Sequence, residues 1–183
     1  MGSYGSGDDG KSTIIASGNR VWKDALVFQA MGDLDELNSF IGLALSFCGD
    51  PKFAEVRNIL LDVQRDLFKI GGMVNAFGSD FYEKIDKISE KDLVRIEKII
   101  NEKEAELEPL KQFILPGGSN ASSFLHVARA VCRRAERSLV ALKKEIDFPD
   151  IILRYINRLS TLLFVLARYA NKLIGVEETK WKS

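Results

Sequence analysis

Apolar residues recur at helical spacing along almost the whole chain from about residue 22 onward. Leucine, isoleucine and valine fall at intervals of three and four, the spacing that places side chains on one face of an α-helix. Alternating runs typical of strands are nearly absent. Segments containing Gly, Pro or Asp interrupt the pattern near 49–51, 78, 107–120 and 148–150. The sequence therefore predicts an all-α protein, in which five helices with mostly short connections form an antiparallel bundle.

The composition restricts the class of protein. The chain has 183 residues, of which 46% are hydrophobic, enough for one domain with a substantial core. Its 26 basic residues balance 26 acidic ones, so no overall field favours nucleic acid or an anionic membrane, and any anion site must be local. Cys48 and Cys132 are isolated, no apolar run approaches ~20 residues, and a signal-peptide core is lacking, so we expect a soluble cytoplasmic protein.

The fourth predicted helix carries an unusual cluster of charges. Arg129, Arg133 and Arg137 are spaced i, i+4, i+8, and Glu136 lies three residues beyond Arg133. These four residues and His126 occupy an arc of roughly 100° on one face, and an apolar stripe lies nearly opposite. Guanidinium groups offer planar, bidentate donors with permanent charge, which suit a polyphosphate. The alternative is an ordinary solvated helix face, and the residues of this helix alone do not exclude it.

A second candidate anion site lies at the N-terminus. Residues 5–12, GSGDDGKS, satisfy the P-loop pattern GxxxxGK[ST], in which backbone N–H groups and a lysine bind phosphate. A genuine P-loop follows a buried strand and opens a helix, whereas here the pattern begins at residue 5 and the residues after Ser12 are not a helix opening. We therefore reject a P-loop NTPase fold. A phosphate-binding loop of another kind and a flexible glycine-rich segment remain as alternatives.

Two charged residues near the first helix complete the candidates. Lys23 lies just before that helix. Asp35 shares the non-core side of the helix with Ser39 and Gly42, small residues that would let another helix or another subunit approach closely. Asp35 is an ordinary surface acid unless a basic partner exists, and Arg129 is such a partner by type.

Helix starts are indicated by capping residues. Ser89, followed by acidic first-turn residues, predicts the start of the third helix. Ser119 or Asn120 could cap the fourth, arginine-bearing helix.

Taken together, these segments resemble the PduO-type ATP:cob(I)alamin adenosyltransferases. The likeness covers about residues 7–181, and its blocks follow the family's order: SGDDG, RVWKD, MGDLDELNSFIGLA, FILPGGSNASSFLHVARAVCRRAER and INRLSTLLFVLARYAN. The resemblance implies a five-helix bundle of ferritin-like arrangement, assembled as a homotrimer with active sites between subunits. It also implies one domain over 1–183, with an N-terminal ATP-binding loop at 1–22, the bundle at 23–175 and a C-terminal tail at 176–183.

The resemblance further implies the reaction. The 5′-deoxyadenosyl group of ATP is transferred to the cobalt of cob(I)alamin, which forms adenosylcobalamin and releases triphosphate. Mg²⁺ is expected to be held mainly by ATP, and no protein ligand to cobalt is expected. A reductase and an adenosylcobalamin-dependent enzyme are the protein partners that this reaction suggests; nucleic acid and membrane are not expected as partners.

Site residues are implied by matching position. Phe113 matches the aromatic residue beside the cobalt, although its sequence context alone favours a loop aromatic packed on the bundle. Asp35 and Arg129 match a family pair that forms a salt bridge between subunits. Arg133 and Phe113 are the candidate catalytic residues. The residues that match ATP contacts are Ser6, Gly7, Asp8, Ser12, Thr13, Lys23, Arg133, Arg134, Glu136, Arg137 and Asn157.

The N-terminal loop departs from the family. The usual opening is Thr-(Arg/Lys)-Thr-Gly-Asp, whereas this chain has Tyr4 and Gly5 in place of the first threonine and the basic residue. A hydroxyl remains at Ser6. The departure concerns contacts of the loop with ATP and not the arginine helix.

Other classes of protein fit the sequence less well. A di-metal carboxylate bundle needs Glu-x-x-His on two helices, and the chain has one histidine. That residue, His126, is not in the Asp-x-His-x-x-Gly setting of a histidine-ligated corrinoid carrier, and we interpret it as a structural hydrogen-bonding residue. A purely structural interaction module would explain the bundle but not the clustering of anion-binding residues.

Overall fold

The computed structural model describes residues 9–14 and 18–181. Five long helices dominate these residues, and the predicted all-α bundle is confirmed. The helices are α1 (Leu26–Ser46), α2 (Ala54–Ala76), α3 (Glu90–Ala105), α4 (Asn120–Lys143) and α5 (Ile151–Leu173). Two single-turn 3₁₀ helices, Pro51–Phe53 and Tyr82–Lys84, lie in the connections. Within the described ranges, no helix combines the length and the apolar composition that a membrane span requires.

A short β-hairpin precedes the bundle. Its strands, β1 (Lys11–Thr13) and β2 (Arg20–Trp22), pair antiparallel, and the ammonium of Lys11 lies 4.6 Å from the ring centroid of Trp22. The sequence did not predict this hairpin, because strands of 3 residues are too short to show alternation. Residues 11–13 therefore form a strand and not a helix, which confirms the rejection of a P-loop NTPase fold.

The core lies where α4 packs against both α1 and α5, while α3 covers α5 and α2 covers α1. The predicted apolar stripe of α4 faces inward, and its residues Ala128, Ala135 and Leu142 have no exposed surface. Full burial of a leucine such as Leu142 stabilises the fold by about 1.5–3 kcal/mol, and each buried alanine contributes less. Burial of this stripe fixes the rotation of α4 about its own axis.

The predicted helix caps are present. The backbone N–H of Ser89 donates to the Asp92 carboxylate at 2.9 Å, within the capping box that opens α3. At the start of α4, the Ser119 hydroxyl accepts a hydrogen bond from the Ser122 N–H at 3.2 Å. Of the two candidates for this cap, Ser119 is therefore the capping residue.

A buried carboxylate joins three helices away from the charged face of α4. Asp66 on α2 is 2% exposed. It accepts hydrogen bonds from the Tyr155 hydroxyl of α5 at 2.7 Å and from the Lys69 ammonium at 2.9 Å, and it pairs with Arg95 of α3. A buried charge is stable only when it is paired and hydrogen-bonded in this way.

Replacing Asp66 by Ala should lower the free energy of unfolding by about 3–5 kcal/mol, because it leaves the Tyr155 hydroxyl and the Arg95 guanidinium without their buried acceptor. Denaturant unfolding of the two proteins measures the loss. Asp62→Ala is the matched control: its carboxylate is 47% exposed, pairs with Arg65 and lies 3.9 Å from the Arg95 guanidinium, so we expect a loss below about 1 kcal/mol. Equal losses in the two variants would contradict the role of Asp66.

Candidate functional site

Helices α4 and α5 bring four of the predicted site residues to one surface. The side-chain amide of Asn157 on α5 donates to the Glu136 carboxylate on α4 at 2.9 Å. The guanidinium of Arg137 donates to the backbone carbonyl of Arg133, one turn earlier, at 3.0 Å. Both arginines are exposed, and neither forms an ion pair with another residue in the described part of the chain. Their donors are therefore available to an anion.

Arg134 points in a different direction from Arg133 and Arg137. Its guanidinium donates to Asp33 at 3.1 Å and pairs with Glu36, both on α1. The Ser138 hydroxyl, one turn further along α4, also donates to Asp33. These bonds attach α4 to α1, so Arg134 braces the helix pair. Its contact with ATP stays a prediction.

Near the start of α4, the helix face that carries Arg133 and Arg137 is buried at His126. His126 is only 5% exposed, and its ring packs edge-on against Phe164 of α5, with 6.0 Å between ring centroids. Burial and the neighbouring Arg129 guanidinium lower the pKa of His126 to about 4, so the imidazole is neutral near pH 7. Among the described residues, its Nδ1 atom has no hydrogen-bond partner. The interpretation of His126 as a hydrogen-bonding residue is wrong for this atom, because packing holds the ring.

The predicted pair of Asp35 and Arg129 is not formed within one chain. Asp35 is exposed and lines a groove between α1 and α2 with Leu67 and Phe68. Arg129 is half-buried on α4, and its Nε atom has no hydrogen-bond partner in the described ranges. The salt bridge between subunits therefore stays a prediction that requires a second copy of the chain.

Three predicted ATP residues of the N-terminal segment, Ser12, Thr13 and Lys23, lie in the hairpin or directly after it. Ser6, Gly7 and Asp8 are outside the described residues. Ser12 and Thr13 lie on β1, and Lys23 directly follows β2, where its backbone N–H donates to the carbonyl of Gly10 at 2.8 Å. No Cα atom of either described strand lies within 8 Å of a Cα atom of α4. The backbones of the two strands and of α4 are therefore not adjacent within one chain.

Phe113 lies in the connection before α4, and its side chain is 79% exposed. Its ring meets that of Trp181 edge-on at 6.4 Å between centroids, and its backbone carbonyl accepts a hydrogen bond from the Trp181 N–H at 2.9 Å. Together with Phe164, it lines an open depression in which apolar side chains predominate. The ring thus presents bulk and an apolar surface without a lone pair to any ligand there.

The arginines and Phe113 belong to one continuous face. On α5, Phe164 lies seven residues after Asn157, and on α4 His126 lies seven residues before Arg133. Residues at this spacing share a helix face two turns apart, about 10 Å along the axis. Since His126 contacts Phe164, and Phe164 lines the depression with Phe113, the face runs from the guanidinium groups to the exposed ring. Phe164 was not among the predicted site residues, although its spacing from Asn157 could have indicated it.

The sequence profile of the cobalamin adenosyltransferase family matches residues 3–170. A corrinoid adenosyltransferase of Bacillus subtilis (strain 168) is 40% identical to this chain, over 97% of this chain and 90% of that protein. A cobalamin adenosyltransferase of Cupriavidus metallidurans is also 40% identical, over 97% of this chain and 91% of its own length.

The fold agrees with these relatives. A variant of a PduO-type ATP:corrinoid adenosyltransferase from Lactobacillus reuteri, solved in complex with cobalamin and ATP, has a TM-score of 0.90 and 33% sequence identity, with 97% of each chain covered. A second variant of a PduO-type adenosyltransferase from Lactobacillus reuteri, complexed with ATP, has a TM-score of 0.87 at 33% identity, over 97% of this chain and 98% of its own. The predicted resemblance is confirmed, and the chain belongs to the cobalamin adenosyltransferase family.

Proposed function

We propose that this chain transfers the 5′-deoxyadenosyl group of ATP to the cobalt of cob(I)alamin, forming adenosylcobalamin and releasing triphosphate. The observation that carries the proposal is the continuous face that α4 and α5 form with the connection before α4. It presents the guanidinium groups of Arg133 and Arg137 at one end and the exposed ring of Phe113 at the other. Relatives are named corrinoid and cobalamin adenosyltransferases, and one solved relative binds cobalamin and ATP.

Arg133 and Arg137 bind the triphosphate that leaves. When Co(I) attacks the 5′ carbon of ATP, the Co–C bond forms, the C–O bond breaks and negative charge accumulates on the leaving triphosphate. Fixed cationic donors stabilise that charge most strongly in the transition state. Co(I) is already a strong nucleophile, so no proton has to be removed from the attacking atom. Glu136, held by the Asn157 amide, orients an arginine or a ribose hydroxyl and does not act as a general base.

Mg²⁺ enters with ATP in this proposal. The described residues contain no group of three or more His, Cys, Asp or Glu side chains placed to hold a metal ion. Phosphate oxygens of ATP are suitable ligands for Mg²⁺, and Lys23, Arg133 and Arg137 neutralise the charge that remains. The ion adds electrostatic stabilisation of the leaving group.

Phe113 forms an apolar wall beside the cobalt. Such a wall excludes water and the corrinoid's own base from the axial position, because a phenyl ring offers bulk and no lone pair. Co(II) without an axial ligand is easier to reduce to Co(I). A separate reductase supplies the electron, and an adenosylcobalamin-dependent enzyme uses the product.

The active sites lie between the subunits of a homotrimer. Within one chain, no Cα atom of the strand that carries Ser12 and Thr13 lies within 8 Å of a Cα atom of α4, and Asp35 and Arg129 do not form an ion pair. Placing the N-terminal segment of one subunit against α4 of its neighbour brings both sets of residues together. The whole chain then acts as one domain, with the N-terminal segment serving as the ATP-binding loop. Its use of ATP and of a strongly reduced cobalt suits a cytoplasmic location, and Cys48 and Cys132 are free thiols.

An anaerobic assay with reduced cobalamin, ATP and Mg²⁺ tests the activity. We expect light-sensitive adenosylcobalamin and triphosphate in equal amounts, because the reaction transfers one adenosyl group for each triphosphate released. Formation of ADP and phosphate would identify an ATPase instead. Lack of any nucleotide binding would leave an interaction module and refute the proposal.

Replacing Arg133 by Ala should lower kcat/KM for ATP by about 10²–10³-fold, the usual effect of removing one fixed donor to a charge that develops in the transition state. Because the side chain is exposed, the thermal midpoint of unfolding should not change. Steady-state kinetics and a thermal melt measure both quantities. The control is Arg57→Ala, which removes an exposed arginine of α2 and should leave the kinetics intact. Wild-type kinetics for Arg133→Ala would refute its assigned role.

Replacing Arg129 or Asp35 by Ala should weaken trimer assembly by about 3–5 kcal/mol if each loses its buried partner in the neighbouring subunit. The double variant should then assemble as strongly as either single variant, because the two substitutions remove the same interaction. Sedimentation equilibrium over a range of protein concentrations measures assembly. Glu104→Ala, which removes an exposed acid of α3, is the control. Additive effects of the two substitutions would show that the residues do not pair.

A further inference from the structure

The chain after α5 folds back over the connection that carries Phe113. Gly175 has a positive φ of 70°, which suits glycine and ends the helix. The Val176 N–H donates to the Asn171 carbonyl at 3.0 Å and the Gly175 N–H donates to the Lys172 carbonyl at 3.2 Å, which is a Schellman turn. This turn reverses the chain, and residue 180 then pairs in antiparallel fashion with residue 114.

One ion pair fastens this tail to the bundle. Arg168 on α5 is 5% exposed, and its partner Glu178 in the tail is 22% exposed. The Nε atom of Arg168 donates to Glu178 Oε1 at 2.7 Å, and its Nη2 atom donates to Oε2 at 3.2 Å. Such bidentate pairs fix geometry as well as charge. The Nη2 atom also donates to the backbone carbonyl of Glu108 at 2.7 Å, so one guanidinium joins the tail, the connection and α5.

Backbone hydrogen bonds continue from this ion pair to Phe113. The residue after Glu178 is Thr179, whose carbonyl accepts a hydrogen bond from the Leu115 N–H at 2.8 Å. Two residues further, the Trp181 N–H donates to the Phe113 carbonyl at 2.9 Å. The Phe113 ring is itself 79% exposed, so its own packing contributes little to its position. The tail therefore supplies the bonds that hold this residue.

We propose that Arg168 and Glu178 are positioning residues for the corrinoid end of the site. Their ion pair holds the tail in register with the connection, and the tail in turn fixes the backbone of Phe113 so that its ring meets the corrinoid. The inference rests on the proposed role of Phe113 beside the cobalt. Neither Arg168 nor Glu178 touches a reacting atom in this assignment. Losing the pair should therefore impair steps at the cobalt and spare ATP binding at Arg133.

The variant Glu178→Gln tests the pair, because it keeps the shape of the side chain and removes its charge. The matched control is Glu177→Gln, which makes the same change at an exposed neighbour without a hydrogen bond among the described residues. The first measurement is amide hydrogen exchange of the full-length protein without ligands. We expect the amides of Leu115 and Trp181 to exchange at least about tenfold faster in Glu178→Gln only. Unchanged exchange would overturn the proposal.

The second measurement separates positioning from a merely structural role. For Glu178→Gln, we expect kcat/KM for cob(I)alamin to fall by about tenfold or more, while the KM for ATP stays within about twofold. The electron paramagnetic resonance signal of Co(II) corrinoid lacking an axial ligand, recorded with ATP present, should weaken in parallel. Glu178→Asp, which restores the charge, should recover part of the kcat/KM for cob(I)alamin and part of the Co(II) signal. Equal losses for ATP and corrinoid would indicate general destabilisation, and faster exchange with wild-type kinetics would indicate a structural pair; either result overturns the proposal.

Different results would refute adenosyl transfer and the positioning role of Glu178. If the wild-type protein transfers no adenosyl group, the proposed function is refuted, and the role of the pair at the cobalt is refuted with it. The exchange measurement uses no substrate and still decides whether Glu178 fastens the tail. If the wild-type protein is active and Glu178→Gln matches it in every measurement, only the positioning proposal is refuted.

Discussion

The packing of α4 against both α1 and α5 is the constraint on which the site depends. Ala128, Ala135 and Leu139 of its apolar stripe have no exposed surface, and a helix buried along one stripe cannot rotate without exposing it. Arg133 and Arg137 must therefore point away from the core that their own helix forms. The small side chains of the stripe also let α1 and α5 approach closely, which brings Asn157 within hydrogen-bonding distance of Glu136.

The arginines of this protein differ in whether they form an ion pair within the chain. Arg134 is paired with acids of α1, and Arg168 with an acid of the tail; both join elements of the fold. Arg133 and Arg137 have no such partner in the described ranges, so they carry uncompensated charge on a chain whose net charge is zero. Two unpaired guanidinium groups one turn apart on the same helix face favour the binding of an anion there. Pairing, more than the identity of the residue, separates the arginines that brace the fold from those available to substrate.

The five helices and the cap at Ser89 could be predicted because their signals are local: apolar spacing within one helix, and a serine three residues before an acid. The rotation of α4 could be predicted for the same reason. The burial of His126 could not, because it depends on contact with Phe164 of another helix. The contact between the tail and Phe113 also escaped prediction. It consists largely of backbone hydrogen bonds between segments far apart in sequence, and such bonds leave no pattern in side-chain type.

The two ends of the site differ in how they are built. Arg133, Glu136 and Asn157 project from long helices, whose backbones are fixed by burial along their length. Phe113 projects from a connection held by a few hydrogen bonds and one ion pair, and its ring remains 79% exposed. Apolar surface that is exposed to water in the free protein strengthens binding when a ligand covers it. The gain is about 25 cal/mol for each Å² covered. A small polyanion requires the fixed donors at the end with Arg133. A large ligand with an apolar face requires the open surface at the end with Phe113. The division of the site into a rigid polar end and an open aromatic end thus follows from the different demands of its two substrates.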